Sequence, residues 1–216
     1  MRLIPFPGVH RPVSDTWLLA SAMRERGVKG ASVADLCTGS GAIAIAAARA
    51  GASRVVAVDV SWRAVIATRL NAMLNGSQVQ ARHGDLGPAL RGERFDVIVC
   101  NPPYVPAPTD ALPRHRSTTP LDGGRDGRLV LDRVCRLAPE HLRPGGSVLL
   151  VHSSICDEQK TCALLREGGL RAEVVARTEG QLGPVMRSRA QMMRERGLLG
   201  DGDEEQLVVV RGDAAS

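Results

Sequence analysis

The chain has 216 residues, 44% of them hydrophobic and 24% charged, which is apolar enough for a core and ordinary for a globular protein. A formal charge of +5 admits nucleic-acid partners, but aromatics make up only 2% (Phe6, Trp17, Trp62, Phe95, Tyr104), too few for a base-stacking platform. No apolar run approaches the roughly 18 residues of a membrane span, and prolines interrupt MRLIPFPGVHRP where a signal peptide needs an unbroken apolar stretch.

A cytoplasmic location is therefore expected. Of 28 basic residues 26 are arginine, and they are spread along the chain rather than clustered, as a GC-rich coding bias would produce. The five cysteines contain no C-x-x-C pair, so buried thiols in a reducing compartment are expected, with neither a disulfide framework nor a metal site.

Ser14 or Asp15 is placed to cap a first helix that runs to about Arg26. SVADLC (32–37) reads as a buried strand and Gly41–Ala50 as an alanine-rich helix. RVVAVDV (54–60) is a second strand, followed by a helix capped by Ser61 and stopped at Gly76. VQARHGD (79–85) is a third strand, polar enough to lie near an edge. FDVIVC (95–100) is the fourth, and a proline-rich stretch follows. Arg128–Leu142 and Asp157–Glu167 read as helices around a fifth strand, GSVLLVHSS. RAEVVART (171–178) and EEQLVVVRG (204–212) are the last strands. The alternation predicts one α/β domain over residues 1–216: a Rossmann-like seven-stranded sheet, mostly parallel with an antiparallel last strand, and helices on both faces. Within it, 1–30 forms an N-terminal helix region, 105–127 a substrate loop, and 179–203 an insert between the last two strands.

Three segments carry chemistry. DLCTGSGAIA (35–44) takes a strand through a glycine turn into a helix, so that Gly39 and Gly41 leave room for a cofactor to meet backbone N–H donors. Asp59 ends the second strand, where a carboxylate accepts from both hydroxyls of a ribose. Asp85, ending the third, is placed to accept from the exocyclic amine of an adenine. NPPY (101–104) follows the fourth strand. Its two prolines fix a rigid, extended backbone, which holds the Asn101 amide oxygen and the Pro102 carbonyl as paired acceptors for a planar NH₂. Tyr104 offers a flat wall beside them.

In this order the motifs resemble class I S-adenosylmethionine-dependent methyltransferases acting on planar amino groups. PVSDTWLL (12–19), LDGGRDG (121–127) and SSICDEQKTCALLREGGL (153–170) narrow the resemblance to HemK-type protein-glutamine methyltransferases, which modify the glutamine of the GGQ motif in peptide-chain release factors. The length resembles the archaeal and eukaryotic branch, which lacks the N-terminal helical domain. The resemblance implies that S-adenosylmethionine is held by Thr16, Asp35, Thr38, Gly39, Gly41, Asp59, Asp85, Leu86 and Asn101, with Thr16 at the methionine end. It makes Asn101, Pro102 and Tyr104 the catalytic set. It also implies a release factor as substrate and a small zinc-binding activator subunit at an exposed sheet edge, here the third strand. Cys37 departs from the pattern, standing where the motif commonly has glycine.

The expected reaction is in-line attack of the nitrogen on the sulfonium methyl, driven by positioning and electrostatics because no strong base stands beside NPPY. His115, in the loop, is the one histidine considered as a base. An RNA adenine-N6 or guanine-N2 methyltransferase and a non-catalytic cofactor-binding subunit remain as alternatives. In the insert, Met186, Met192 and Met193 read as a packed helix face, and the arginines of 184–197 as possible substrate contacts.

Overall fold

The computed structural model describes residues 1–111 and 120–216, so His115 lies outside the described residues. The elements, in chain order, are α1 (Ser14–Arg26), β1 (Ser32–Leu36), α2 (Ala42–Arg49), β2 (Arg54–Asp59), α3 (Trp62–Leu74), β3 (Gln80–His83), α4 (Leu86–Leu90), β4 (Phe95–Cys100), α5 (Leu131–His141), β5 (Leu142–Ser153), α6 (Glu158–Glu167), β6 (Arg171–Gln181), α7 (Pro184–Ser188), α8 (Ala190–Glu195) and β7 (Glu204–Asp213).

The strands form one sheet in the order β3-β2-β1-β4-β5-β7-β6. β1 to β5 run parallel, and β7 inserts antiparallel between β5 and β6. This is the expected seven-stranded arrangement, with the chain reversing direction only at its last strand. All five residues of β1 are buried because helices cover both faces of a central parallel strand. The strand period of two then divides the sheet's side chains between two cores. Val33, Val55, Ala57, Val97, Val99 and Leu149 meet Leu19 and Met23 of α1 and Ile43 and Ala47 of α2. Ala34, Leu36, Val56, Val58, Ile98 and Leu150 meet α4, α5 and α6 through Leu86, Leu90, Leu131, Val134 and Leu165.

Several boundaries differ from expectation. Neither Ser14 nor Asp15 caps α1. The helix starts at Ser14 after an extended Val13 and has no side-chain cap, because the Asp15 carboxylate is engaged elsewhere. Ser61 does cap α3, accepting from the Ala64 amide at 3.4 Å. β3 is only four residues long and lies at the sheet edge, paired with β2 alone. The one-turn α4 was not anticipated, since LGPAL is too short to show a helical period. α5 begins at Leu131 rather than Arg128. Arg128 is 3% exposed, and its guanidinium is spent on the carbonyls of Cys156 and Asp157 and the Thr161 hydroxyl. β6 runs on to Gln181, which shortens the segment before β7 to 182–203. Among the described residues no helix is long and apolar enough to cross a membrane.

Candidate active site

The parallel register sets the C-terminal ends of β1, β2 and β4 side by side, with Leu36 opposite both Val58 and Cys100. Whatever follows those strands therefore lines one crevice, the usual ligand position in an open α/β sheet. After β1 the chain turns through Cys37, Gly39 and Gly41, at φ of 57°, 54° and 81°. Glycine adopts this left-handed region freely, whereas Cys37 carries the strain of a side chain there. A Cβ on Gly41 would lie 2.9 Å from Thr68 Cγ2 and 3.1 Å from Thr68 Cα, so α3 packs directly onto the turn. A Cβ on Gly39 would meet nothing within 4 Å; the turn is open on that side. Helix α3 also fixes the turn by donating from the Asn71 amide to the Ser40 carbonyl at 2.9 Å and from the Thr68 hydroxyl to the Gly39 carbonyl at 3.2 Å.

Asp35 lies beneath the turn with no exposed surface. Its Oδ2 accepts from the Thr38 hydroxyl at 2.6 Å and from the Ala44 amide at 3.1 Å. Its Oδ1 is buried without a donor among the described residues. Burial pushes the carboxyl up to about 7, against the lowering effect of those two donors. A buried acceptor left without a donor calls for one from outside the chain. An ammonium group at Oδ1 would meet that need, and the open face of Gly39 leaves room for it. The residues therefore fit a cofactor with an amino-acid end. Thr38 contributes through Asp35 and by donating its amide to the Val58 carbonyl at 3.1 Å, so its hydroxyl is already committed.

Asp59 accepts from the Gly39 amide at 3.0 Å and from the Ser61 amide at 2.9 Å, one on each oxygen. Each oxygen keeps a second lone pair for a further donor. Burial raises its carboxyl above the ordinary carboxylate range. Asp85 differs: its half-exposed carboxylate pairs through Oδ2 with Arg133 of α5 at 2.5 Å. Leu86 is buried at a φ of 30° and packs into the core below. Beside these strand ends, Trp62 stacks on His83 with ring centroids 4.0 Å apart.

Asn101 follows β4 directly and so stands beside the glycine turn. Neither its side chain nor the Pro102 carbonyl has a hydrogen-bond partner among the described residues. Tyr104 is held from two sides. Its carbonyl accepts from Cys156 Sγ at 3.2 Å, and its hydroxyl donates to Asp15 Oδ2 at 3.0 Å. Burial raises the phenol well above its usual range, and the nearby carboxylates of Asp15 and Glu205 add to this. Tyr104 is thus a neutral phenol that donates to Asp15. Asp15 is 4% exposed and also accepts from the Thr16 hydroxyl at 3.0 Å, which brings Thr16 close to Tyr104.

The LDGGRDG segment braces NPPY from behind. Val105 donates to the Leu121 carbonyl, and Gly123 to the Val105 carbonyl, both at 2.9 Å. A Cβ on Gly123 would come within 2.8 Å of Tyr104 Cα, which explains the glycine. The segment 182–203 closes over this loop. Met186 and Met193 are buried with Leu182 and Val105, with Met192 partly buried beside them, so the methionines form a packed face. The arginines of this segment are committed to the chain. Arg189 holds Asp122 at 2.7 Å and the Pro106 carbonyl at 2.9 Å, while Arg196 holds the carbonyls of Ala107, Arg125 and Pro108. Arg187 and Arg194 bond to Leu182 and to residues 200–203.

Comparison with known proteins decides what this crevice belongs to. A Methanocaldococcus jannaschii protein named as a protein N5-glutamine methyltransferase is 36% identical over 171 residues, which are 79% of this chain and 85% of that protein. The chain belongs to the protein N5-glutamine methyltransferases. Residues 12–112 also match the methyltransferase small domain. The release factor glutamine methyltransferase of Geobacter sulfurreducens is 38% identical over 67% of this chain. This chain spans about half the length of that bacterial relative, 53%. Among solved structures, the E. cuniculi Mtq2–Trm112 complex, responsible for methylating the eRF1 termination factor, superposes with a TM-score of 0.65 at 23% identity. That match covers 96% of this chain and 99% of the other, and it shows a shared fold.

Proposed function

We propose that this protein transfers a methyl group from S-adenosylmethionine to the side-chain amide nitrogen of glutamine in the GGQ motif of a peptide-chain release factor. The observation that carries the reading is Asn101. Its amide and the neighbouring Pro102 carbonyl have no partner among the described residues, on a proline-stiffened backbone that leaves β4 beside the glycine turn. Two acceptors in that relation suit a planar NH₂ and stabilise the positive charge that grows on the nitrogen as it bonds the methyl carbon; the S–CH₃ bond breaks, adenosylhomocysteine leaves and one amide proton is lost to solvent. S-adenosylmethionine, bound in this crevice, supplies the methyl group. Asp35 Oδ1 would hold its amino group and Asp59 its ribose. The remaining acceptor capacity of Asp85 would lie at the adenine end, and Thr16 would lie toward the methionine. Tyr104 confines the amide to one plane, so positioning supplies much of the rate.

The reading includes a small zinc-binding activator subunit and a cytosolic setting shared with the substrate. β3 offers it an unpaired edge. Next to that edge, α3 exposes Trp62, Ile66, Leu70 and Met73 at helical spacing, 38–74% accessible, a stripe that a strand-pairing partner would cover.

A methyl-transfer assay with radiolabelled cofactor tests the proposal. It is run with and without the activator on release factor, its GGQ-to-GGA variant, ribosomes and total RNA. Label on release factor that disappears in the GGA variant supports it. Label on RNA or ribosomes alone overturns it.

A further inference from the structure

Methyl transfer needs the cofactor end and the acceptor wall held in fixed relation, and one buried carboxylate touches residues on both sides. Asp15 Oδ1 accepts from Thr16, through its hydroxyl at 3.0 Å and its backbone amide at 2.5 Å. Asp15 Oδ2 accepts from the Tyr104 hydroxyl at 3.0 Å, 89 positions away in sequence. The residue is 4% exposed, in the first turn of α1, where the helix dipole favours negative charge. Among the described residues no other hydrogen bond fixes the Tyr104 ring, because its second tether, to Cys156, is made by the backbone carbonyl. A tyrosine ring without its hydroxyl partner keeps a broad χ2 distribution.

We propose that Asp15 is a positioning residue that fixes the Tyr104 ring relative to the cofactor-side Thr16, so that occupancy of the cofactor site is registered at the acceptor wall. The proposal rests on the methyltransferase reading of this crevice but not on the identity of the acceptor. Glu205 at the start of β7 contributes a second carboxylate near the pair. It is close enough to act electrostatically on both Asp15 and Tyr104, and its Oε2 is buried without a donor among the described residues. Tyr104 therefore keeps its proton and remains a donor to Asp15 throughout.

Tyr104 is the sole tyrosine of the chain, so ¹³C-tyrosine labelling gives one set of ring resonances in NMR spectra. In the native protein, S-adenosylhomocysteine is expected to shift these resonances. In Asp15→Asn the shift is expected to vanish, while calorimetric affinity for S-adenosylhomocysteine stays within about threefold and kcat falls about 10–100-fold, as a misplaced reacting group costs. A ring that still responds in the variant overturns the proposal, as does a parallel loss of affinity. Should Asp15→Asn fold poorly, Tyr104→Phe breaks the same link from the other side. It should retain affinity and lose kcat alone; unchanged kcat would overturn the idea. Native protein that gives no binding heat with S-adenosylhomocysteine would sink the methyltransferase reading itself. A native ring shift without methylation of release factor would sink only the choice of acceptor.

Discussion

Asp35 and Thr38 share a hydrogen bond of 2.6 Å that occupies one oxygen of a carboxylate with no solvent exposure, while the other oxygen has no donor among the described residues. This arrangement costs stability, because a buried carboxylate oxygen lacks the donor it would have in water. Burial lifts Asp35 from 3.8 to about 7, so between those values the folded chain binds a proton that the unfolded chain does not, and stability falls as pH rises through the window. Asp35→Asn removes the titration and keeps the shape. The variant should melt higher than the native protein at pH 8, with the gap closing toward pH 4. Its affinity for S-adenosylmethionine at pH 8 should fall about 10–100-fold, the cost of losing a bond to a charged group. Thermal melts and calorimetry across pH check both arms.

The two glycines of the turn should fail differently. Gly41→Ala places a methyl 2.9 Å from Thr68 Cγ2 and 3.1 Å from Thr68 Cα at a φ of 81°, so overpacking and strain together should cost about 2–4 kcal/mol of stability. Gly39→Ala meets no protein atom within 4 Å and should cost only about 1–2 kcal/mol from its φ of 54°, yet it occupies the space left for the cofactor. Denaturant titration should rank Gly41→Ala as the less stable variant. Cofactor titration of the folded fraction should rank Gly39→Ala as the weaker binder.

Asn101→Ala removes an amide that has no partner among the described residues, so stability should hardly change. Methyl transfer should fall about 10²–10³-fold, the usual effect of deleting one preorganised polar group at a reacting centre. Single-turnover rates with saturating cofactor measure this directly.

Arg189 ties the segment before β7 to the acceptor loop through Asp122, whose side chain is 5% exposed, and the Pro106 carbonyl. Arg189→Ala removes the ion pair to Asp122 and the bond to the Pro106 carbonyl, and should destabilise the protein by about 1–2 kcal/mol, the arginine being 18% exposed. KM for the protein acceptor should rise about tenfold while cofactor affinity holds. An unchanged KM would mean that the loop keeps its shape without the latch.

The parts of this site legible in the sequence were those set by local rules. Strand period and glycine chemistry placed Asp35, Asp59 and Asn101 at successive strand ends, and the parallel register brought them together. The remainder depends on distant packing. Asp15 reads as a helix cap because nothing near it in sequence reveals Tyr104, and Glu205 reads as an ordinary start of a strand. Asp122, too, meets Arg189 only after the loop and the segment before β7 have folded onto each other. The arginines of 184–197 read as possible substrate contacts, and a run of arginines does not show that Arg189 and Arg196 will meet carbonyls of the chain. The short α4 is not legible for a different reason: five residues carry too little periodicity to mark a helix.

The most direct test is tandem mass spectrometry of a release factor after incubation with this protein and S-adenosylmethionine. One added methyl on the side-chain amide of the glutamine in the GGQ motif, absent when the Asn101→Ala variant is used, is the predicted result. A methyl on any other residue, or an unmodified release factor beside methylated RNA, would contradict the account.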